Sequence, residues 1–450
     1  MIDELETPRH LRQGFTVGYD PAYRGDSNDM ETDSRANPGD LAAHLDSLLP
    51  DLESIYKDLH TNPELSMQEV RTARIAVDSL RSAGYEVTPE IGKTGVVGVL
   101  RNGTGPTVML RADMDALPVE EATGLPYASR ATATDRAGNT TPVMHACGHD
   151  MHVACLIGAA TLMAQICNAW NGTLISVFQP AEETGQGAQA MINDRLFERF
   201  PKPDVILGQH VMSMPSGVLA CRSGVMTSAG DSFEIRLFGR GAHGSMPEAS
   251  VDPVVMAAST VLRLQTIVSR ELAAAESAVV TVGALQAGTK ENVIPDEAVL
   301  KINVRTYDEG VRKRVLAAIK RIVQAEAAAS GAPREPEIKP LDRYSAVWND
   351  PDAAQRVMKA FAQHFPGRVQ ETRPTTASED FGCFGAEWHV PSVFWFIGGI
   401  DRDQYEQAEK AGRIKDIPTN HNPRFAPVIH PTLGAGVEAM VVAARAWLSQ

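Results

Sequence analysis

Between residues 95 and 210 short β-rich runs alternate with longer helical periods. Near Met226 that pattern breaks off, and it resumes only after Tyr344. A chain that interrupts one grammar with another is expected to insert one domain into a second. The first grammar consists of GVVGVL (95–100), TVMLRADM (107–114), a helix from about 150 to 167, TLISVFQ (173–179), a helix near 187–197 and DVILGQH (204–210). Strands alternating with helices imply an α/β sheet with a large parallel component. The turn-forming RNGTGP at 101–106 predicts that the first two runs are neighbouring strands. The interrupting grammar sets SFEIRLFG (232–239), a helix over 251–272, AVVTVGALQ (278–286), AVLKINVRTY (298–307), a helix over 309–330 and PEIKPLD (336–342) in series. That is a β-α-β-β-α-β order, the split-βαβ or ferredoxin-like arrangement. Helix 351–364, strand VPSVFWFIGG (390–399) and helix 431–449 then complete the first domain. The expected fold is therefore α/β. A discontinuous domain, 41–225 and 343–450, surrounds a central, mostly parallel sheet, and an α+β domain is inserted at 226–342.

A chain of 450 residues exceeds what one core usually serves, in agreement with two domains. Two helices precede the sheet, the first through Leu41, Leu45, Leu48, Leu49, Leu52, Ile55, Tyr56 and Leu59, the second through Val70, Ile75, Ala76 and Leu80. Residues 1–40 are polar and poor in aliphatic side chains, and are read as a disordered arm. The net charge of −14 repels phosphate backbones and anionic headgroups, so neither nucleic acid nor a membrane is an expected partner. The longest nearly apolar stretch, 153–164, is too short for a membrane helix, and the acidic N-terminus does not read as a secretory signal. Five cysteines give no disulfide framework, and a cytoplasmic location is expected.

Chemistry concentrates in His145-Ala146-Cys147-Gly148-His149-Asp150-Met151-His152, a density that packing alone does not explain. Cys147 and His149, two apart, would share one side of an extended segment, and thiolate and imidazole are good ligands for Zn²⁺ and its first-row relatives. The alternative is a histidine-rich loop with a buried thiol. Cys155 and Cys167 are read as core residues of the apolar helix that follows. Glu182 and Glu183 stand just past the end of one strand, Gly208-Gln209-His210 closes another, and Asp113 and Asp115 close a third. Ligands gather at the carboxyl ends of strands in open α/β sheets.

RADMDALP (111–118), MHACGHDMH (144–152), FQPAEE (178–183), GQHV (208–211), NVIPDE (292–297), SEDF (378–381) and HNPRF (421–425) together resemble a family. It is the dinuclear metallohydrolases that include aminoacylases, carboxypeptidase G and dipeptidases. Within it the motifs are most like the amidohydrolases acting on hippurate and auxin–amino acid conjugates. The resemblance runs from about residue 45 to the C-terminus. It implies two divalent ions, Zn or Mn with Co or Ni as further options, held by Cys147, His149, Glu183, His210 and His421, with the Cys147 thiolate bridging. It makes Glu182 the general base, and the inserted domain a lid through which relatives often form homo-oligomers. Where many relatives place a histidine two residues before the strand-end aspartate, this chain has Asp113, so Asp113 and Asp115 are read as supporting groups behind the ligands. His145 and His152 are expected to orient ligands. His421 rather than His430 fits the HNPRF context.

From the lid, the resemblance implies that His243 donates to the oxyanion, Asn292 contacts substrate and Arg305 clamps a substrate carboxylate, a task suited to its bidentate fork. GRGAHG (239–244) also formally matches a dinucleotide-binding turn, but a helix should follow such a turn at once. The expected activity is hydrolysis of the amide bond of an N-acyl amino acid or a similar small conjugate. A dipeptidase or specialised amide or amine hydrolase is the alternative within the family. A nucleotide-dependent oxidoreductase and a non-catalytic metal-binding protein are the alternatives outside it.

Overall fold

The computed structural model describes residues 38–448. The polar arm expected at 1–40 lies outside the described residues, apart from its last three, which begin the first helix, Pro38–Thr61. In that helix Leu41, Leu45, Leu52, Tyr56 and Leu59 recur on one face, and all five are buried.

Among the described residues eight strands form the central sheet. From edge to edge they are Glu86–Ile91, Gly95–Asn102, Gly172–Gln179, Thr107–Asp113, Val205–Pro215, Ser392–Ile400, Leu219–Cys221 and Val369–Glu371. The four strands from Gly172–Gln179 to Ser392–Ile400 are mutually parallel. The two runs joined by RNGTGP are not neighbours, because Gly172–Gln179 lies between them, antiparallel to Gly95–Asn102 and parallel to Thr107–Asp113. The turn reverses the chain but does not oblige the two arms to pair. TLISVF, apolar at nearly every position, is buried on both faces and takes an interior place with a neighbour on each side.

Helices Pro38–Thr61, Val70–Ser82, His149–Gln165, Pro351–His364 and Ile429–Leu448 cover one face of this sheet, sharing a core that includes Leu80, Leu156, Leu207, Val357, Trp395 and Val437. Helix His149–Gln165 lies between the sheet and the outer helices and is buried almost all round, as the apolar sequence beyond its first turn requires. Cys155 is buried within it, whereas Cys167 falls just past its end and is half-buried. The other face is covered by Gly187–Asn193 and Gly382–Trp388, over a second core containing Met191, Phe381 and Phe384.

A separate four-stranded antiparallel sheet has the order Ala278–Ala287, Glu297–Thr306, Ala229–Phe238, Glu337–Tyr344. Helices Pro253–Thr266 and Glu309–Ala329 pack on it over a third core that includes Leu237, Leu264, Leu300 and Ile319. Both helices are N-capped by aspartates, Asp252 accepting from Val254 N–H and Asp308 from Val311 N–H. At one end of this sheet Gly230 is flanked by Arg305 on one neighbouring strand and Tyr344 on the other.

Candidate metal centre

Because the four middle strands run the same way, their carboxyl ends share one rim. Asp113 ends its strand opposite Gln179, so the turn carrying Glu182 and Glu183 leaves the sheet beside it. On the other side Arg111 lies opposite Gly208, which sets His210 level with Asp113. The strand expected to end at His210 continues to Pro215, since Ser392–Ile400 pairs with it along that length. His210 thus lies inside a strand that outruns its other neighbour.

Cys147 and His149 do not lie on an extended segment. Gly148 adopts a left-handed conformation, φ 81°, and caps the helix that starts at His149. A side chain there would be strained, and a Cβ would lie 2.4 Å from Val211 Cγ1. The two side chains converge through this turn, with ligand atoms of Cys147, His149 and Glu183 all within 4.8 Å of one another. His149 Nε2 is 3.9 Å from Glu183 Oε1, and His421 Nε2 is 3.3 Å from Glu183 Oε2. Cys147 Sγ is 3.5 Å from His210 Nε2. His210 Nδ1–H donates to Val211 O at 2.8 Å, which leaves Nε2 to present its lone pair. His421, itself at φ 69°, is tethered by its N–H to Ala146 O. His430 instead meets Glu53 at 2.9 Å.

Both ring nitrogens of His149 and Glu183 Oε1 are buried without a hydrogen-bond partner. Each such group costs about 1–3 kcal/mol when left unsatisfied. A sulfur, three imidazoles and a carboxylate collected around those orphans fit divalent cations of the first transition row. Burial pushes the Cys147 thiol up, and Glu183 beside it adds to the effect, so a cation is what would favour the thiolate. His421 is pushed up to about 10 by its hydrogen bonds to Cys147 and Glu183.

The supporting residues are more constrained. His152 donates from Nδ1 to Asp113 Oδ1 at 2.5 Å and accepts Val211 N–H at Nε2. Neither nitrogen is left for a metal, and the residue orients Asp113. The other oxygen of Asp113 accepts from Arg111 at 2.7 Å. Burial disfavours its charge, but His149, His152 and Arg111 outweigh that and hold Asp113 well below the usual carboxylate range. Asp115 accepts from Glu182 N–H at 3.0 Å, Glu183 N–H at 3.1 Å and Ser66 O–H at 2.6 Å, and lies 3.3 Å from His149 Nδ1. His145 differs from expectation. It is buried, no hydrogen bond joins it to any member of the cluster, and burial drives it down to about 4.

Glu182 and Glu183 face different groups. While Glu183 meets His149 and His421, Glu182 forms a buried cluster with Glu379 and Asp380. Burial raises the Glu182 carboxyl well above its ordinary value, and repulsion from Glu379, Glu183 and Asp380 adds to this, a setting that favours taking up a proton. His243 and Asn292 lie elsewhere. Both are exposed, on a small ribbon in which Ala242–His243 pairs with Val293–Ile294 and Gly244 N–H meets Asn292 O. Among the described residues no hydrogen bond or ion pair joins either to the cluster. That ribbon, with the next helix starting only at Pro253, also removes the dinucleotide-binding reading of GRGAHG. Arg305 is half-buried, donating to Asn303 Oδ1 and to Ser378 Oγ.

Residues 109–421 match the sequence profile of peptidase family M20/M25/M40. The chain belongs to this family. It is 41% identical over 350 residues to a hippurate hydrolase from Campylobacter jejuni, covering 76% of this chain and 87% of that one. An N-acetyl-L-cysteine deacetylase from Bacillus subtilis is 35% identical, over 84% of this chain and 86% of its own. A solved structure of a Bacillus subtilis dinuclear metal-binding peptidase of the M20 family superposes with TM-score 0.69 at 28% identity, covering 89% of this chain and 98% of that chain. The chain is accordingly a hydrolase, and the M20 profile spans every candidate ligand from Cys147 to His421.

Sequence reasoning missed the hub behind this M20 site. Arg111, fully buried, donates to Gln179, Asp113, Glu379 and Asp380. An arginine inside TVMLRADM was the available signal, since a guanidinium is buried in a central strand only when carboxylates meet it. Glu69 was missed too: it accepts from Ala181 N–H at 2.8 Å, one residue before Glu182.

Divalent metal is expected to shield Cys147 from alkylation. Peptide mapping after thiol labelling should find Cys147 far more reactive in chelator-treated protein than after reloading, and equal labelling in the two states would take it out of the ligand set.

Proposed function

We propose that this M20 hydrolase removes the acyl group from N-acyl amino acids, using two divalent ions held by Cys147, His149, Glu183, His210 and His421. The observation that carries the reading is the buried, unpartnered set of His149 nitrogens and Glu183 Oε1 beside a second buried glutamate, Glu182, that is not one of the set. The names of the hippurate hydrolase and the deacetylase support the substrate class. Zn or Mn suits the mixed sulfur, nitrogen and oxygen donors, with Co or Ni as further options. We assign residues 41–225 and 343–450 to the catalytic unit and 226–342 to a lid, supported by the separate core of the smaller sheet.

Bound ions would acidify the attacking water and polarise the scissile carbonyl. Glu182 takes the proton from that water and delivers it to the leaving nitrogen, work worth ~10²–10⁴-fold. Asp115 fixes the backbone of both glutamates, and Asp113 braces the histidine side of the cluster through His152. When the lid closes, His243 donates to the oxyanion, Asn292 contacts the substrate and Arg305 leaves Ser378 for the substrate carboxylate. The five cysteines are all unpaired, in keeping with a reducing, cytoplasmic setting. Among the described residues no helix is long and apolar enough to cross a membrane.

Assembly through the lid is supported by its bare apolar surface. Val255 and Leu262, one above the other on helix Pro253–Thr266, are 64% and 73% exposed. Leu285 is also exposed, on Ala278–Ala287, an edge strand of the smaller sheet.

Metal-loaded protein should release benzoate or acetate from N-benzoyl and N-acetyl amino acids. Glu182→Gln should keep its metal while losing ~10²–10⁴-fold in rate, whereas Glu183→Gln should lose metal affinity as well. Equal metal loss in both, or an active Glu182→Gln, contradicts the division of roles. His243→Ala should lower kcat by roughly 10²–10³ with metals intact. Arg305→Ala should raise KM for substrates with a free carboxylate and spare their amides; equal effects on both would make Arg305 a structural residue. Leu262→Asp should shift an oligomer to monomer by light scattering, and a monomeric wild-type protein would remove the lid interface.

A further inference from the structure

The turn that carries Glu182 is held by residues from outside its own motif, and one of them belongs to the smaller sheet. Tyr344, the last residue of strand Glu337–Tyr344, donates its hydroxyl to the backbone carbonyl of Glu182 at 3.2 Å. Its ring lies over the end of the same turn, where a Cβ on Gly185 would come within 2.9 Å of Tyr344 Cζ. Gly185 also sits at φ 59°, so the turn is shaped to receive the ring. The site therefore contacts the strand by which the chain leaves the inserted unit.

This contact is one end of a row. Tyr344, Gly230 and Arg305 lie side by side across three adjacent strands. At the other end of the row Arg305 donates to Ser378 Oγ, next to Glu379 of the Glu182 cluster. Between them, Ser228 ties the entering strand to the same segment, with its N–H to Ala377 O and its carbonyl accepting from Ser378. Any movement of this end of the smaller sheet relative to the turn carries Tyr344 and Arg305 together and bears on the hydrogen bond to the Glu182 carbonyl.

We propose that Tyr344 is a positioning residue for the general base, fixing the Glu182 turn and making its geometry depend on the position of the lid. The inference rests on the assignment of Glu182 as base. Tyr344 touches neither substrate nor metal ligand in this role and acts only through Glu182. Its effect should therefore appear in turnover and vanish when Glu182 no longer takes the proton.

The test compares Tyr344→Phe, Glu182→Gln and the double variant as metal-loaded, full-length protein. Tyr344→Phe keeps the ring over Gly185 and removes one hydrogen bond. It should lower kcat about three- to tenfold, with KM and metal content unchanged. In the Glu182→Gln background the same change should have no effect on the residual rate. A Tyr344→Phe enzyme with wild-type kcat, or one whose fall in rate persists in full without Glu182, overturns the proposal and leaves the base assignment standing. A fall confined to KM or to metal content would make Tyr344 a structural residue and also overturn it. An active Glu182→Gln would remove the base assignment and the proposal together.

Discussion

A guanidinium with no access to water organises the rim of the sheet. Arg111 sits in a central strand with its donors shared among Gln179, Asp113, Glu379 and Asp380. Burying that charge alone would be prohibitive, and three carboxylates around one cation leave negative charge in excess. Burial pushes Asp380 up to about 8 in spite of Arg111, and repulsion from Glu379 adds to this, a setting that favours a proton on this carboxyl. Asp380 in turn caps Ala188 N–H, and Asp113 reaches the histidines through His152. Strand, turn and SEDF segment are thus registered against one another by a single side chain. Without Arg111, two neighbouring carboxylates would have no counter-charge and the Glu182 cluster would lose its frame.

The same rim keeps polar atoms unsatisfied where a folded protein ordinarily would not. Asp113, Asp115 and His152 are held by hydrogen bonds, whereas both ring nitrogens of His149 and Glu183 Oε1 have none. Within the rim the contrast separates groups that hold geometry from groups open to a ligand, while His145, also buried without a partner, lies outside the cluster. Saturated groups hold geometry, and unsaturated ones keep free energy in reserve for what binds.

The fold class was legible because alternation of strands and helices is a local property of the chain, and so was the split-βαβ order of the inserted unit. The order of strands was not. Adjacent runs at 95 and 107 admit a third strand between them, and only the competition for interior positions decides that. Among the candidate ligands, residues in dense motifs were visible as such, yet the means of bringing Cys147 and His149 together, a left-handed Gly148, was misread as an extended segment. Periodicity does not report the sign of one φ angle. Arg111, Glu69 and Tyr344 carry no motif of their own. Their importance comes from partners 68 to 268 residues away in the chain, as with Arg111 and its contacts Gln179 and Glu379, and nothing local announces that.

The place of Ser392–Ile400 in the sheet bears on how the chain is made. This strand fills a central position beside Val205–Pro215, although residues 216–391 separate them. At ribosomal rates of roughly 5–20 residues per second, the flank of Val205–Pro215 stays open for on the order of ten seconds while that length is synthesised. An unpaired apolar strand is a template for other chains. The nascent protein therefore passes through an interval in which a strand destined for the middle of the sheet is an open, adhesive edge, and in which His421, still unmade, leaves the cluster incomplete.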